Sequence, residues 1–327
     1  MGYSNLIASI ILILISGYIY KKFQINVLRD EKLEELDLIN KYLLNETDTS
    51  AINQIKNIKK PIIWIHIDYD RNLRKWDSFG SRASEELNQD YLYLTLRSII
   101  NKCSDYFHII LIDDSSFDKL IDDWNVDLSK IGGLQKENIR TLGLIKILYK
   151  YGGILMEPSH ILFRSLKPIY EKILSSEKPS VGEFANESTD SNIRNFSPSL
   201  KFIGALKNCP TIHELGKHLE IIVNKDHTFS SKLEGQVSNW LYNKAEQNEI
   251  NYIDGKFLGT RNSENKSIDL GSLLGSSYLE MDSNAYGLYI PRKDLLKRTA
   301  YNWFVYLNVQ QVLTSNTNVG KYLLISN

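Results

Sequence analysis

The stretch ILYKYGGILMEPSHI, residues 147–161, decides the fold. Apolar residues recur at helical spacing over residues 138–151, and Gly152-Gly153 ends that helix in the manner of a C-cap. The apolar run that follows, residues 154–156, is typical of a buried strand. The stretch therefore predicts a helix that turns directly into a strand, with Glu157 at the carboxyl end of that strand.

The same alternation of strand and helix precedes this stretch. Residues 62–67, IIWIHI, form an apolar run of buried-strand type, residues 89–102 have helical periodicity, and residues 108–113, HIILID, read as a second buried strand. This order predicts an α/β domain with a mostly parallel central sheet flanked by helices. Such sheets bind ligands outside the carboxyl ends of their strands. Those ends carry Asp68, Asp113 and Glu157.

The pattern becomes looser after Pro168, and no internal repeat or second-domain linker is visible. We expect a Ser/Asn-rich loop over residues 186–199 and short strands near residues 252–256 and 287–291, because turn residues bound the apolar runs there. Helical spacing returns at residues 212–223 and 236–247.

The N-terminus predicts a membrane anchor. Residues 6–20 carry no charge, tyrosines flank the run, and Lys21-Lys22 follow it. Crossing a hydrocarbon core of about 30 Å takes about 20 helical residues, so residues 3–20 are near the lower limit. A cleaved signal peptide is the alternative, but no positive charge precedes the run and no A-x-A-like site follows it.

These features divide the chain into three parts. We expect a single-pass anchor at residues 1–22, a helical stalk at residues 23–58 and the α/β domain at residues 59–327. Lysines follow the anchor while MGYSN before it is uncharged, so the positive-inside rule places the domain on the cytoplasmic side.

The composition argues against several classes of function. Lysine plus arginine equals aspartate plus glutamate, 39 each, so no global field favours nucleic acid as a partner. Cys103 and Cys209 lie far apart and in no C-x-x-C arrangement, which predicts neither a disulfide framework nor a zinc site.

The segment at residues 147–161 resembles the signature of the DXD-type sugar-nucleotide glycosyltransferases, which include capsular polysaccharide synthesis proteins. In that family a helix ending in L-Y-x-Y-G-G precedes a strand and then Asp-x-Asp or Asp-Ala-Thr. The likeness extends over roughly residues 60–240, with IIWIHI and HIILIDD similar to earlier strands and FIGA, residues 202–205, similar to a later element. Glu157-Pro158-Ser159 is also similar to glycosyltransferase-like proteins of large DNA viruses.

The resemblance implies a GT-A-like fold and transfer of a sugar from a nucleotide-sugar donor to a glycan, lipid or protein acceptor. A divalent cation, Mn²⁺ or Mg²⁺, would neutralise the diphosphate leaving group. By this resemblance Glu157 is the catalytic and metal-binding acid. The donor would be bound by Asp68 and Asp113 at the nucleotide and by Ser159 and His160 beside the motif.

The sequence departs from the family pattern at several polar positions. Ser159, a poor metal ligand, stands at the second acidic position of the motif. One helix upstream, where the family has Ser-Asp-x-x-Arg, the matching positions hold Arg140, Thr141 and Leu144. These changes indicate either a changed donor or an inactive relative with a structural or interaction role at a membrane, for example in a virion.

Each candidate residue also has a simpler interpretation. Asp113 begins an Asp-Asp-Ser-Ser run that suits a helix N-cap, with Ser115 as the favoured capping residue. A salt bridge to Arg164 would satisfy Glu157, and a histidine in an apolar setting, such as His160, is more often a core group than a ligand. A glycoside hydrolase would need two carboxylates about 5 Å or about 6.5 to 9.5 Å apart, a distance that one sequence does not give.

Overall fold

The computed structural model describes residues 13, 15–20, 22, 34, 37–39, 41–44, 60–67, 89–186, 195–225 and 230–327. The chain divides into two compact units, Met1–Tyr42 and Leu43–Asn327. Most of the predicted anchor and stalk, and Asp68, lie outside the described residues. In the part that is described, no helix combines the length and the apolar character needed to cross a bilayer.

The second unit contains the described strands, which are listed here in chain order: β1 (Ile62–His66), β2 (His108–Ile112), β3 (Gly153–Met156), β4 (His160–Leu162), β5 (Ser180–Ala185), β6 (Phe196–Ala205), β7 (Asn251–Ile253) and β8 (Gly287–Tyr289). The described α-helices of this unit are α1 (Asp90–Cys103), α2 (Phe117–Leu120), α3 (Gly133–Tyr151), α4 (Lys167–Ser176), α5 (Pro210–Lys225), α6 (Ser230–Glu246), α7 (Gly255–Leu258), α8 (Leu270–Leu274), α9 (Arg292–Lys297), α10 (Val309–Thr314) and α11 (Asn318–Ser326). Short 3-10 helices lie at Asp114–Ser116, Leu128–Lys130 and Asn302–Tyr306.

Six described strands form the central sheet, in the order β2-β1-β3-β6-β5-β7. Strand β1 is parallel to β2 and β3, β5 is parallel to β7, and β6 is antiparallel to both of its neighbours. Among these strands β6 alone therefore runs against the rest. The predicted α/β fold with a mostly parallel sheet flanked by helices is confirmed.

The strand register brings the predicted site residues to one edge of the sheet. Ile65 of β1 pairs with Met156 of β3, and His66 pairs with Ile112 of β2. The next residues of β3 and β2 are Glu157 and Asp113. Because parallel strands end at the same edge, both acids follow the sheet at its carboxyl edge, as predicted.

Gly152, which follows α3, and Gly153, the first residue of β3, make the direct turn from helix to strand possible. Gly152 caps the helix with φ of 69°, and Gly153 has φ of 107°, a backbone region that other residues rarely adopt. A Cβ on Gly153 would clash with the carbonyl oxygen of Ile62. The carbonyl of Gly152 accepts a buried hydrogen bond of 2.8 Å from the indole of Trp64, which ties the turn to β1.

One face of the sheet packs on helices α3 and α5. Trp64, Leu155 and Ile203 point to this face and share a buried cluster with Leu148 of α3 and Leu215 of α5. Helix α1 packs against β2 and β4. This packing fixes α3, and with it the residues that α3 presents at the carboxyl edge of β3.

The structure corrects the predicted loop at residues 186–199. Residues 187–194 lie outside the described part, but Phe196–Ala205 forms β6, which pairs with β5 through a register shift between Val181 and Gly182. Ser197, Pro198 and Ser199 hid this strand because such residues are typical of loops. The small sheet of β4 and β8 pairs His160 with Tyr289, a long-range contact that the strand patterns did not indicate.

Candidate functional site

A cavity of about 220 Å³ opens at the carboxyl ends of β1 and β3. Its walls come from β1, β3, β5, β6, α3, α6 and α9 and from the residues that follow β3 and β5. We call it the Glu157 cavity. The ionisable residues that line it are His66, Glu137, Arg140, Glu157, Lys201, Glu234, Arg292 and Lys293.

Glu157 lies in the wall of this cavity and is held at both its backbone and its side chain. Its backbone N–H donates to the carbonyl of Lys201 at 3.0 Å, and its Oε2 accepts a hydrogen bond of 2.8 Å from the hydroxyl of Tyr289. Arg164, the alternative partner, instead donates to the carbonyl of Ser283 at 2.6 Å. The acid at the end of β3 is therefore oriented by a neutral phenol and faces the cavity.

Ser159 and His160 lie behind the cavity wall rather than on it. Both side chains are fully buried, and neither Oγ of Ser159 nor Nε2 of His160 has a hydrogen-bond partner among the described residues. The His160 ring contacts the rings of Phe184, Phe202 and Tyr289, and its Nδ1 lies 3.1 Å from the carbonyl oxygen of Glu157. Burial lowers the pKa of His160 to about 4, so the ring is neutral at pH 7.

Asp113 caps the 3-10 helix Asp114–Ser116. Its Oδ1 accepts hydrogen bonds from the backbone N–H of Ser115 at 3.0 Å and from the hydroxyl of Ser116 at 2.8 Å. The prediction of a capping run is confirmed, but the capping residue is Asp113, not Ser115. Asp113 lines a second cavity, of about 580 Å³, which we call the Asp113 cavity.

Asp114 stands between the two cavities and carries a cluster of ion pairs that the sequence did not indicate. Arg140 binds its carboxylate with two hydrogen bonds of 2.7 Å, Lys136 lies 3.1 Å from Oδ2, and Nε2 of His66 lies 3.0 Å from Oδ1. Burial opposes ionisation of this acid, but the hydrogen bonds from His66 and Arg140 hold the pKa of Asp114 far below its usual value. Asp114 lines the Asp113 cavity, and both His66 and Arg140 line the Glu157 cavity.

Helix α3 presents to the Glu157 cavity the positions at which the sequence departs from the family pattern. Arg140, Thr141 and Leu144 all line it, together with Glu137 one turn earlier, as spacings of three and four residues on one helix face require. Arg140 is engaged by Asp114, and the hydroxyl of Thr141 donates to the carbonyl of Glu137 at 2.9 Å. The positions on α3 that match Ser-Asp-x-x-Arg in the resemblance are therefore part of the cavity wall, but they carry different side chains.

Lys293 at the start of α9 joins two walls of the cavity. Its Nζ lies 3.3 Å from Oε2 of Glu137 on α3 and 3.0 Å from Oε1 of Glu234 on α6. Burial disfavours the charged amine, but Glu234, Glu137 and Glu157 together raise the pKa of Lys293 above its usual value. Helical spacing in the sequence begins only at Gln236, which places Glu234 in a loop, so the pattern does not indicate this group; in the structure α6 begins at Ser230.

The fit of this site to a divalent cation can be judged from the donors present. Among the described residues no three His, Cys, Asp or Glu side chains are grouped so as to hold a metal ion. The first motif position supplies the carboxylate of Glu157, whereas the hydroxyl at the second, Ser159, is buried away from the cavity. The described part of the motif therefore offers one carboxylate and does not fit a two-ligand metal site.

No family model matches this chain, and no curated protein matches it. Among solved structures it is similar to the PaToxG glycosyltransferase, with a TM-score of 0.36 and 13% identity over 67% of this chain and 80% of that one. It is also similar to the galactosyltransferase LgtC in complex with donor and acceptor sugar analogues, with a TM-score of 0.33 and 9% identity over 60% of this chain and 74% of that one. At TM-scores this low, neither likeness is evidence for a shared activity.

A third similar structure comes from Bacillus anthracis and is described as a glucose-1-phosphate thymidylyltransferase in complex with a sucrose. Its TM-score is 0.31 and its identity 12%, over 60% of this chain and 86% of that one. These three similar structures are thus two glycosyltransferases and one that is described as a thymidylyltransferase.

Proposed function

We propose that this chain is a GT-A-like glycosyltransferase that binds a nucleotide sugar in the Glu157 cavity and transfers the sugar to an acceptor hydroxyl. One observation carries the proposal. Glu157 occupies the first acidic position of the L-Y-x-Y-G-G signature, at the carboxyl end of β3, and its carboxylate faces a cavity of about 220 Å³. That is the edge at which open α/β sheets bind their ligands.

The transfer releases one proton from the acceptor, which a carboxylate beside the sugar can take up. The bond between the anomeric carbon and the phosphate oxygen breaks, its electron pair leaves with the nucleoside diphosphate, and the acceptor oxygen bonds to the anomeric carbon and loses its proton. Three described carboxylates line the cavity, and Lys293 engages Glu137 and Glu234. We assign the proton to Glu157, which accepts a hydrogen bond from a neutral phenol instead.

We assign the nucleoside to the neighbouring Asp113 cavity. Asp113 follows β2 and lines that cavity, as the resemblance implies for a residue of the nucleotide cleft. Asp114 lines the same cavity and bonds His66 and Arg140, which line the Glu157 cavity. The donor would thus extend past this ion-pair cluster. The resemblance also assigns Asp68 to the nucleotide, but this residue lies outside the described part of the chain.

A second candidate is a protein that keeps the fold without catalysis. Two observations favour it: Ser159 at the second motif position is buried in the core, and Leu144 supplies an apolar wall where the family has an arginine. In this case the chain catalyses no sugar transfer, and it has a binding or structural role at a membrane. Attachment through residues 3–20, with the domain on the cytoplasmic side, stays a prediction in both cases.

Turnover separates the two candidates. The full chain in mild detergent would be incubated with UDP-, GDP- and CMP-sugars, with and without Mn²⁺, and release of the nucleotide measured. The first proposal expects release by the wild type and by Glu246→Gln, an exposed control at the end of α6, and a loss of release in Glu157→Gln. Absence of release from every donor by a folded chain that still binds nucleotide would establish the second candidate instead.

A further inference from the structure

The Glu157 cavity changes in character from its mouth to its inner end. Helix α3 turns directly into β3 and packs on the sheet, so the two elements run in opposite directions and the start of α3 lies at the carboxyl edge of the sheet. Glu137 and Arg140 line the cavity at that edge. Leu144 and Ile145, one to two turns later, line it farther from the edge. The charged mouth therefore leads inward along α3 to an apolar wall.

This inner end is formed by the hydrophobic core itself. Ile145 of α3, Leu155 of β3 and Val237 of α6 line the cavity, and all three belong to the buried cluster between the sheet and its helices. Leu144 of α3 and Leu200 of β6 also line the cavity, and both pack against the same cluster. Four elements thus supply apolar side chains to one end of the cavity.

Leu155 places the apolar end close to the candidate catalytic acid. The backbone N–H of Glu157 bonds the carbonyl of Lys201, so Glu157 continues the pairing of β3 with β6. Leu155 and Glu157 are two residues apart, so their side chains leave the same face of the sheet, with their Cα atoms about 7 Å apart. A sugar whose anomeric carbon lies beside Glu157 therefore presents another of its substituents to the apolar wall.

The apolar wall favours a methyl group over a hydroxyl at that substituent. The side chains of Leu144, Ile145 and Leu155 offer neither a donor nor an acceptor, so a hydroxyl buried against them loses water without gaining a hydrogen bond. A methyl group at the same place gains free energy on leaving water. One turn before Leu144, the hydroxyl of Thr141 already donates its proton to the carbonyl of Glu137.

We propose that the sugar of the donor carries a methyl group, as a 6-deoxy sugar or an acetamido sugar does, and that Leu144 is the specificity-determining residue that this methyl contacts. The inference rests on the proposed function, which supplies the nucleotide sugar, and it adds the class of sugar. Leu144 stands where the resemblance places an arginine. That departure then reflects a changed donor and not a lost activity.

The test compares donors that share a nucleotide and differ at one substituent. Calorimetric titration of the full chain measures the affinity of UDP-6-deoxyglucose and UDP-N-acetylglucosamine against UDP-glucose. The same titration compares GDP-6-deoxymannose with GDP-mannose, and CMP-N-acetylneuraminate with CMP-N-glycolylneuraminate. The nucleotide contacts are the same within each comparison, so the ratio of affinities reports the sugar. We expect the methyl-bearing donor to bind roughly 10- to 100-fold more tightly, for a nucleotide that the chain binds.

Two leucines of α3 provide matched variants for this test. Leu142 and Leu144 are both partly buried and both pack against the core cluster, and of the two Leu144 lines the cavity. Leu144→Gln should remove the preference for the methyl-bearing donor. Leu144→Met, which keeps an apolar side chain of similar volume, and Leu142→Gln should both retain the preference. Loss of the preference in Leu144→Gln alone therefore reports contact with the sugar and not the stability of the helix.

The outcomes separate this inference from the proposed function. Equal affinities in every comparison for a nucleotide that binds, or a preference that Leu144→Gln leaves intact, overturn the inference and leave the proposed function standing. A folded wild type that binds no nucleotide sugar overturns the proposed function and this inference with it. A preference for the 6-deoxy donors alone assigns the methyl to the sixth carbon of the sugar, and a preference for the acetamido donors alone assigns it to the N-acetyl group.

Discussion

The hydroxyl of Tyr289 donates a hydrogen bond of 2.8 Å to Oε2 of Glu157, although 132 residues separate the two in the sequence. Tyr289 ends β8, and Glu157 follows β3, so two distant segments meet at the wall of the Glu157 cavity. The same tyrosine ring contacts the ring of His160, with centroids 4.9 Å apart. The orientation of the candidate catalytic carboxylate therefore depends on a strand near the end of the chain.

Replacing Tyr289 by phenylalanine tests this dependence. The variant keeps the ring packing and removes the hydroxyl, so we expect a loss of about 1 kcal/mol in the free energy of unfolding. Because Glu157 loses its orienting donor, nucleotide release from a sugar donor should fall more than nucleotide affinity does. Tyr322→Phe, whose hydroxyl makes a 3.4 Å contact to the carbonyl of Leu279 outside this cavity, is the control. Equal release by the two variants would contradict a role for Tyr289 in orienting Glu157.

We expect the protein to lose stability in mild acid because His160 is buried in its neutral form. Burial lowers the pKa of His160 to about 4 from an unfolded value near 6.5, so the unfolded chain binds the proton first. The stabilising contribution is complete above pH 6.5 and is lost as the pH falls toward 4, by roughly 3 kcal/mol at most. Urea denaturation of wild type and His160→Phe at several pH values measures it. The free energy of the wild type should fall relative to the variant as pH decreases, and parallel curves would show that the ring is not held neutral.

We expect replacement of Glu183, which lies away from the Glu157 cavity, to destabilise the fold. This buried acid accepts hydrogen bonds from the hydroxyl of Tyr252 at 2.6 Å and the N–H of Gly255 at 2.8 Å, and pairs with Arg261 at 2.7 Å. Glu183→Gln weakens these contacts, although Arg261 keeps Asp254 at 2.9 Å as a second partner. We therefore expect a loss of about 1 to 3 kcal/mol in the free energy of unfolding.

The control for Glu183 is a pair on the surface. Glu249 lies 2.7 Å from Lys244, but its side chain is 43% exposed and Lys244 also binds Glu214. Glu249→Gln should change the free energy of unfolding by about 1 kcal/mol or less. Similar losses in the two variants would show that burial does not strengthen the Glu183 contacts.

We expect a substitution of Gly153, at the turn between α3 and β3, to lower the free energy of unfolding. An alanine there must adopt φ of 107° and would press its Cβ against the carbonyl of Ile62, so Gly153→Ala should destabilise by about 1 to 3 kcal/mol or more. Gly216 in α5 has open space around its Cα, and Gly216→Ala should stabilise by about 0.5 to 1 kcal/mol. Chemical denaturation compares the two, and a Gly153→Ala variant as stable as the wild type would refute the need for glycine at this turn.

Local patterns were enough to predict the first half of the domain. Helix α3, the glycine turn and β3 follow from short-range spacing, and parallel strands then bring Asp113 and Glu157 to one edge of the sheet. Helix α1 was predicted within one residue at each end. Antiparallel β6 was not, because Pro198 and its serine neighbours are typical of loops and only pairing with β5 makes them a strand.

The partners of the candidate site could not be read from local patterns, because they are long-range contacts. Lys293 meets Glu137 and Glu234 across three helices, and Tyr289 reaches Glu157 only through the pairing of β4 with β8. The burial of Ser159 depends on the turn after Pro158, which strand periodicity does not specify. Tertiary packing decides which side chains face the cavity, and single-sequence patterns do not record it.

The central claim is that the Glu157 cavity binds a nucleotide, and titration of the full chain with UDP, GDP and CMP tests it most directly. We predict saturable binding of at least one nucleotide by the wild type and by Glu246→Gln. The corresponding nucleotide sugar should compete for that site, and Glu157→Gln should bind this sugar donor but release no nucleotide from it. A folded wild type that binds none of the three, with or without Mn²⁺, or a Glu157→Gln variant that releases nucleotide as fast as Glu246→Gln does, would contradict the account.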